Sequence, residues 1–316
     1  MATAPARERE RQRKSRWDDY GPPLDSEWRR IDWREHQRWV HVDGHPINLI
    51  DIGEGPAVVF VHGLGCNWQA WLENIPHVAA EHRVVSLDLP GFGFSAMPTE
   101  DISIEGYGRT VGAVMEELGI ERATVVGNSM GGFVGAEMAI SLPERVERLV
   151  LVSAAVLWNE QWRARPLVML DRIAKAYGAR LASQWEFALR HERLRLPALA
   201  WAGVRHPRKI PLDLAYEVMR GSGAPGFSDA LHALYDYKLR DGLPDIEAPT
   251  LIVWGSHDPL VRLRHAFELE RLIPRSRVVV FPDTGHEAMF ERPPRFNALM
   301  DAFLADDADA VARISA

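Results

Sequence analysis

The chain has almost no cysteine. Cys66 stands alone among 316 residues, which excludes an internal disulfide and a cysteine-rich zinc site. No apolar run approaches the ~20 residues needed to cross a bilayer, so no transmembrane segment is expected. Positive charge is not in excess either: 37 Lys and Arg stand against 44 Asp and Glu, a net charge of −7. That balance argues against a nucleic-acid-binding surface. Internal repeats are absent from the sequence. What is present is ordinary globular material, 47% apolar and 26% charged, enough for a large buried core.

The N-terminus departs from this average. Residues 1–16 hold six basic and two acidic side chains and no apolar stretch. Such a segment lacks the hydrophobic centre of an export signal, and with no disulfide a cytoplasmic location is expected. Residues 1–35 read as a charged, flexible tail. Trp17, Trp28 and Trp33 are the anchors it offers for docking on a partner.

From about residue 37 the chain alternates strand and helix patterns. Two extended stretches joined at Gly44-His45 predict an opening hairpin. Residues 57–63, 83–91, 123–129, 147–155, 250–256 and 277–286 are apolar runs without polar alternation. Strands buried on both faces look like this, whereas a half-exposed strand alternates. Apolar spacing at Ile104, Val111, Met115 and Leu118 predicts a helix over 102–120, ended by Gly119. Strands separated by helices imply an α/β fold with a mostly parallel sheet covered on both faces.

The alternation stops at 157–244, a stretch helical in pattern that carries 14 Lys and Arg against nine Asp and Glu. A basic helical block between two sheet strands predicts a cap over the sheet's carboxyl edge, where open α/β sheets bind ligands. The expected organisation is therefore a tail over 1–35, a core over 36–156 and 245–316, and a cap over 157–244.

The most informative string is Gly127-Asn128-Ser129-Met130-Gly131, a G-x-S-x-G pentapeptide between a strand and a helix. A sharp strand-to-helix turn strains its central residue and leaves no room for side chains two positions away on either side. The serine hydroxyl is then lifted to a helix N-terminus, whose free N–H groups favour a developing anion. A serine needs a base to take its proton, and the base needs an orienting carboxylate. His286 follows the last buried strand and so reaches the same sheet edge as Ser129. Asp258 follows the strand before it. Asp283, three residues from His286 and beside Thr284-Gly285, reads as a turn-former. One backbone donor to an oxyanion should be the N–H of Met130, the residue after the nucleophile.

With these residues in view the chain resembles the α/β-hydrolase superfamily over roughly residues 37–305. The strings that carry the resemblance are HGLG at 62–65, DLPGFGFS at 88–95, GNSMGG at 127–132, WGSHDP at 254–259 and TGHEAMFERP at 284–293. The resemblance implies an eight-stranded, mostly parallel sheet, a helical cap, and a catalytic triad in the order Ser129, Asp258, His286. It implies a second oxyanion donor at Leu64, with Gly63 and Gly65 shaping that loop and Gly127 and Gly131 shaping the serine turn. It assigns DLPGFGFS a supporting role. Relatives that open epoxides or displace halide carry aspartate at the nucleophile position, so serine here implies acyl transfer through an acyl-enzyme, needing no metal or organic cofactor.

Hydrolysis of a small carboxylic ester, in the manner of carboxylesterases and lipases, is the leading expectation. Lactone and amide cleavage are alternatives. GNSMGG also resembles hydrolases that cut carbon–carbon bonds in ring-fission dienoates, and the basic cap suits an anionic substrate. Those relatives place a tryptophan soon after the histidine, where this chain has Glu287-Ala288-Met289-Phe290. A non-catalytic ligand receptor is the remaining class. Asn128, Trp158, Trp162 and Trp185 are the expected pocket residues, with Trp201, Phe187 and Phe227 as further cap aromatics. Cys66 is expected to be an inert, partly buried thiol.

Overall fold

A computed structural model describes residues 19–160, 191–221 and 223–315. Its centre is an eight-stranded sheet: β1 (Gln37–Val42), β2 (His45–Ile52), β3 (Ala57–Val61), β4 (Arg83–Leu87), β5 (Ala123–Asn128), β6 (Val146–Val152), β7 (Thr250–Gly255) and β8 (Ser276–Phe281). The spatial order is β1-β2-β4-β3-β5-β6-β7-β8. β1 pairs antiparallel with β2, and β2 with β4, while the other pairs are parallel. Each apolar run of the sequence corresponds to one strand. β5 and β7 are buried at every position, as expected where both faces are covered.

The pleat divides the core in two. Val59, Val61, Val125 and Leu149 point to one face, against Val111 and Met115 of the Ile104–Glu117 helix and Phe133 of the Met130–Ser141 helix. Val58, Phe60, Val126 and Val150 point to the other, against Trp71 and against Phe296 and Leu299 of the Pro293–Leu304 helix. Odd and even positions of one strand thus feed different cores, as a two-residue period requires. The predicted helix over 102–120 is observed at Ile104–Glu117, with Ser103 capping it through its hydroxyl on the Gly106 N–H.

Between β6 and β7 the described residues are helical, with helices at Glu192–Trp201, Leu212–Met219 and Phe227–Asp236. They reach the carboxyl edge of the sheet. The Phe227 ring lies against Gly65, the Gly221 backbone against Cys66, and the Gly203 backbone against His286.

The N-terminal expectation meets a different arrangement. From Tyr20 onward the segment expected to be tail is packed: Tyr20 and Trp28 are buried. The Trp28 indole donates to Glu73 Oε1 at 2.7 Å, and the Trp33 and Trp68 rings meet at 5.1 Å. Of the three tryptophans expected to anchor on a partner, Trp28 and Trp33 are thus seated on this chain itself, and Trp17 lies outside the described residues. Apolar burial outweighs the charge pattern here, because large aromatics bring far more buried area than their neighbours cost.

Candidate active site

Parallel strands end at one edge, so the loops after β3, β5, β7 and β8 converge there. The β5 loop holds Ser129. Its backbone has φ 52 and ψ −111, a left-handed, strained geometry for a serine. The strain is held by hydrogen bonds from the Ser129 N–H to Val152 O and from the Ala155 N–H to Ser129 O, both 2.9 Å. A Cβ on Gly127 would lie 2.2 Å from Gly131 O, and one on Gly131 would lie 2.1 Å from Val61 O. Only glycine fits at either position, as the pentapeptide implied. From Ala123 to Ala139 every residue is buried except Ser129, which is partly exposed. The turn therefore lifts one hydroxyl out of the core.

His286 Nδ1 lies 2.7 Å from Asp258 Oδ2, and both side chains are almost fully buried. The other Asp258 oxygen accepts the N–H groups of Leu260 and Val261 at 2.8 and 2.9 Å, which fixes the carboxylate. Burial alone would lower the His286 pKa. The Asp258 charge and hydrogen bond, with smaller help from Glu287 and Glu291, push it up to about 9. The rival Asp283 turns away: it has φ 47 and pairs with Arg205 at 3.0 Å and His206 at 2.8 Å. His62 is also committed elsewhere, with Nδ1 on Gly63 O at 2.8 Å and Nε2 accepting the Leu89 N–H at 3.0 Å. His257 is paired with Ser256 Oγ at 2.9 Å.

Two contacts join the serine turn to its neighbours. The Asn128 amide reaches His286 O and Val152 O, both at 3.4 Å. A Cβ on Gly63 would lie 3.3 Å from Ser129 Cβ, so the HGLG loop runs beside the nucleophile candidate. Leu64 lies between Gly63 and Gly65, whose φ of 76 turns the loop. Among the described residues, neither the Leu64 nor the Met130 N–H is taken up by another backbone carbonyl. DLPGFGFS is a support: Asp88 accepts from Asn48 Nδ2 and the N–H groups of Trp68 and Phe94 at 2.8–2.9 Å.

The comparisons with known proteins bear on the fold and the family. Residues 56–293 match the family described as the alpha/beta hydrolase fold. The chain is an α/β hydrolase. It is 32% identical over 82% of its length, and 91% of the relative's, to a 2-hydroxy-6-oxononadienedioate/2-hydroxy-6-oxononatrienedioate hydrolase of Comamonas testosteroni. It is 32% identical, with the same coverage, to a 2-hydroxy-6-oxo-6-phenylhexa-2,4-dienoate hydrolase of Delftia acidovorans. Among solved structures it resembles Est816, described as an N-acyl homoserine lactone degrading enzyme, at 26% identity and TM-score 0.64, covering 84% of this chain and all of that one.

The expected pocket residues fare differently. Asn128 is fully buried, with its amide committed to the two carbonyls above. Trp162, Trp185 and Phe187 lie outside the described residues, and so does the side chain of Trp158. Trp201, the last residue of the Glu192–Trp201 helix, is 69% exposed. Phe227 packs on the Gly65 loop. Burial, reinforced by the Glu287 charge, pushes the Cys66 thiol pKa well up, which leaves it a poor nucleophile.

Sequence reasoning missed Glu291, which is completely buried and accepts the N–H groups of Gly285 and Glu287 on either side of His286, at 3.1 and 3.0 Å. It also missed Gly203, whose carbonyl accepts the His286 N–H at 2.9 Å. Gly203 has φ 95 and follows the Glu192–Trp201 helix, so a helix-ending glycine was the available signal. Glu291 had only a weak one: an acid that follows the apolar run Ala288-Met289-Phe290.

Proposed function

We propose that this α/β hydrolase uses Ser129, His286 and Asp258 as a catalytic triad to cleave a carbon–carbon bond in a 2-hydroxy-6-oxo dienoate of the ring-fission type. The observation that carries the reading is the buried His286–Asp258 pair beside the strained Ser129 turn, in a chain 32% identical to hydrolases of such dienoates over nearly their whole length. The basic composition of 157–244 suits an anionic substrate.

The chemistry follows from the geometry. Ser129 Oγ attacks the ketone carbon as His286, oriented by Asp258, takes its proton. The N–H groups of Leu64 and Met130 hold the oxyanion. Before that attack the 2-hydroxydiene tautomerises to its 2-keto form, which moves the hydroxyl proton to C5. Collapse of the oxyanion then breaks C5–C6, and the departing fragment leaves as a dienolate conjugated through to the 2-oxygen. His286 returns the proton to that oxygen. Water then attacks the acyl group on Ser129, with His286 again as base, and releases a carboxylic acid. No cofactor enters these steps. Glu287, where those relatives place a tryptophan nearby, gives the site a different wall, so the substituent accepted is expected to differ from theirs.

Ester or lactone hydrolysis is the second reading, favoured by the likeness to the lactone-degrading enzyme and by the same triad. It needs no tautomerisation, and an alkoxide oxygen leaves in place of carbon. The test is paired. Wild type and Ser129→Ala are assayed on 2-hydroxy-6-oxo-6-phenylhexa-2,4-dienoate, by loss of its chromophore, and on p-nitrophenyl esters from acetate to palmitate. Dienoate turnover that vanishes in Ser129→Ala, with kcat/KM above that for any ester, supports the proposal. Ester turnover with an inert dienoate refutes it in favour of the second reading.

A further inference from the structure

The loop carrying His286 has no strand or helix of its own between Pro282 and Glu287. A buried carboxylate gathers much of what holds it. Glu291 Oε1 accepts the Glu287 N–H at 3.0 Å, and Oε2 accepts those of Gly285 at 3.1 Å and Arg205 at 2.9 Å. The fourth donor is the hydroxyl of Tyr20. That hydroxyl in turn accepts the His206 N–H at 2.8 Å, and the Gly21 N–H donates to Glu291 O at 2.7 Å. Arg292, just past the helical turn Ala288–Glu291, pairs with Asp19 and reaches Thr284 Oγ1 at 2.7 Å and Pro282 O at 3.0 Å. Three separate parts of the chain, residues 19–21, 203–206 and 282–292, therefore meet at Glu291.

Tyr20 precedes the span that matches the hydrolase family, residues 56–293. It reaches the loop of His286 through the Glu291 carboxylate, and its ring and hydroxyl also meet Arg292 and His206. We propose that residues 19–21 clasp the histidine loop and the cap together, and that Tyr20 and Glu291 are positioning residues for His286. A buried carboxylate with four donors is a rigid post, and removing the Tyr20 hydroxyl takes away the one side-chain donor among them and the tie to residues 19–21. The inference rests on His286 being the base of the proposed reaction.

The charged groups around the post set the sign of its effect. His286 faces Asp258 from the β7 loop and Glu287 and Glu291 from its own. Glu291 faces Tyr20, and the Tyr20 ring is flanked by Arg292, Lys209 and His206. Asp283 balances Arg205 and His206. Burial raises the Glu291 pKa, and the Tyr20 hydrogen bond opposes it. Without the Tyr20 hydroxyl, Glu291 holds its proton more readily, its negative charge fades, and the His286 titration moves to lower pH.

The test uses the full chain as wild type, Tyr20→Phe and Trp28→Phe. Trp28→Phe loosens the same segment at its Glu73 contact, away from Glu291. Two readouts are taken: the NMR titration of the His286 ring, and the rate at which a fluorophosphonate modifies Ser129 across pH. Tyr20→Phe is expected to move the His286 midpoint down and to slow phosphonylation ten- to hundredfold above it, roughly the cost of a misplaced base. Trp28→Phe is expected to lower the melting temperature and leave both readouts in place. An unmoved His286 midpoint in Tyr20→Phe, or an equal shift in both variants, overturns the proposal. A wild type that is not modified at Ser129 refutes the serine-hydrolase reading instead, and the His286 titration still decides the clasp.

Discussion

Replacing Asp258 by Asn tests the electrostatics of the proposed triad more sharply than deleting the nucleophile does. The His286 pKa is pushed up from 6.5 to about 9 because the Asp258 charge and hydrogen bond outweigh burial. A shift of that size corresponds to about 3 kcal/mol of preference for the protonated ring. The sign has two consequences. For stability, a raised histidine pKa contributes fully below pH 6.5, and the contribution is lost as pH rises through about 9. For catalysis, the base must be neutral, so wild-type kcat/KM should climb tenfold per pH unit and level off near 9. In Asp258→Asn burial dominates, and the limb should fall below 6.5. The plateau should drop by about 10³–10⁴, because the wrong tautomer is favoured and the imidazolium is no longer stabilised. The two profiles should therefore converge toward acid, with the gap at pH 6 smaller by two to three decades than at pH 9.5, an estimate that follows from the displaced midpoints. The assay is kcat/KM on the best substrate from pH 5 to 10. A wild-type limb already flat by pH 7, or a gap between the enzymes that is constant across pH, refutes the electrostatic argument.

Further outcomes follow from neighbouring groups. Glu287→Gln removes a charge that helps to raise the His286 pKa, so the acid limb should move to lower pH; an unmoved limb means that this carboxyl does not reach the base. Burial pushes the Glu287 pKa itself up to about 7, so its ionisation opposes folding increasingly from pH 4.5 upward. The same variant should accordingly melt higher than wild type at pH 8 but not at pH 4, as calorimetry at both values would read. Gly131→Ala places a Cβ 2.1 Å from Val61 O and should abolish both labelling of Ser129 and soluble expression, whereas a folded, active variant would show that the turn can relax. Asp88→Ala strips three donors of their acceptor and should cost about 3–5 kcal/mol in denaturant unfolding, by the usual penalty for uncompensated buried groups.

The sheet was legible because its strands are buried on both faces. A residue such as Val59 meets Val85 on one side and Val125 on the other, and such environments select one kind of side chain. Ser129 was legible for a different reason: the glycines at 127 and 131 are dictated by backbone atoms within 2.2 Å, a constraint that leaves a mark in the string itself. Asp258 and His286 could be placed from where their strands end. Tyr20 and Glu291 left no such mark, and Gly203 left only that of a helix-ending glycine. Tyr20 and Glu291 stand 271 residues apart, and Glu291 acts mainly on backbone N–H groups, which every residue but proline offers. A partner that is a backbone group imposes nothing on the identity of the residue that supplies it.

The same distinction explains why the reaction was harder to read than the machinery. Ester, lactone and carbon–carbon cleavage share the nucleophile, the base and the oxyanion donors, and diverge at the atom that receives the last proton. That atom belongs to the substrate, and on the reading proposed above the residue after His286 helps to form the wall that orients it. In this chain that residue is Glu287, a buried carboxyl with one oxygen left without a hydrogen-bond partner. A tryptophan wall would select by shape and apolar area. A carboxyl with a pKa of about 7 selects by hydrogen bonding, and its preference changes with its proton. Substrates carrying a negative charge at that end should be accepted better below pH 7, where Glu287 is protonated, than above it. The pH dependence of KM for a matched pair of anionic and neutral substrates measures this directly, and parallel profiles for the two would show that Glu287 does not face the substrate.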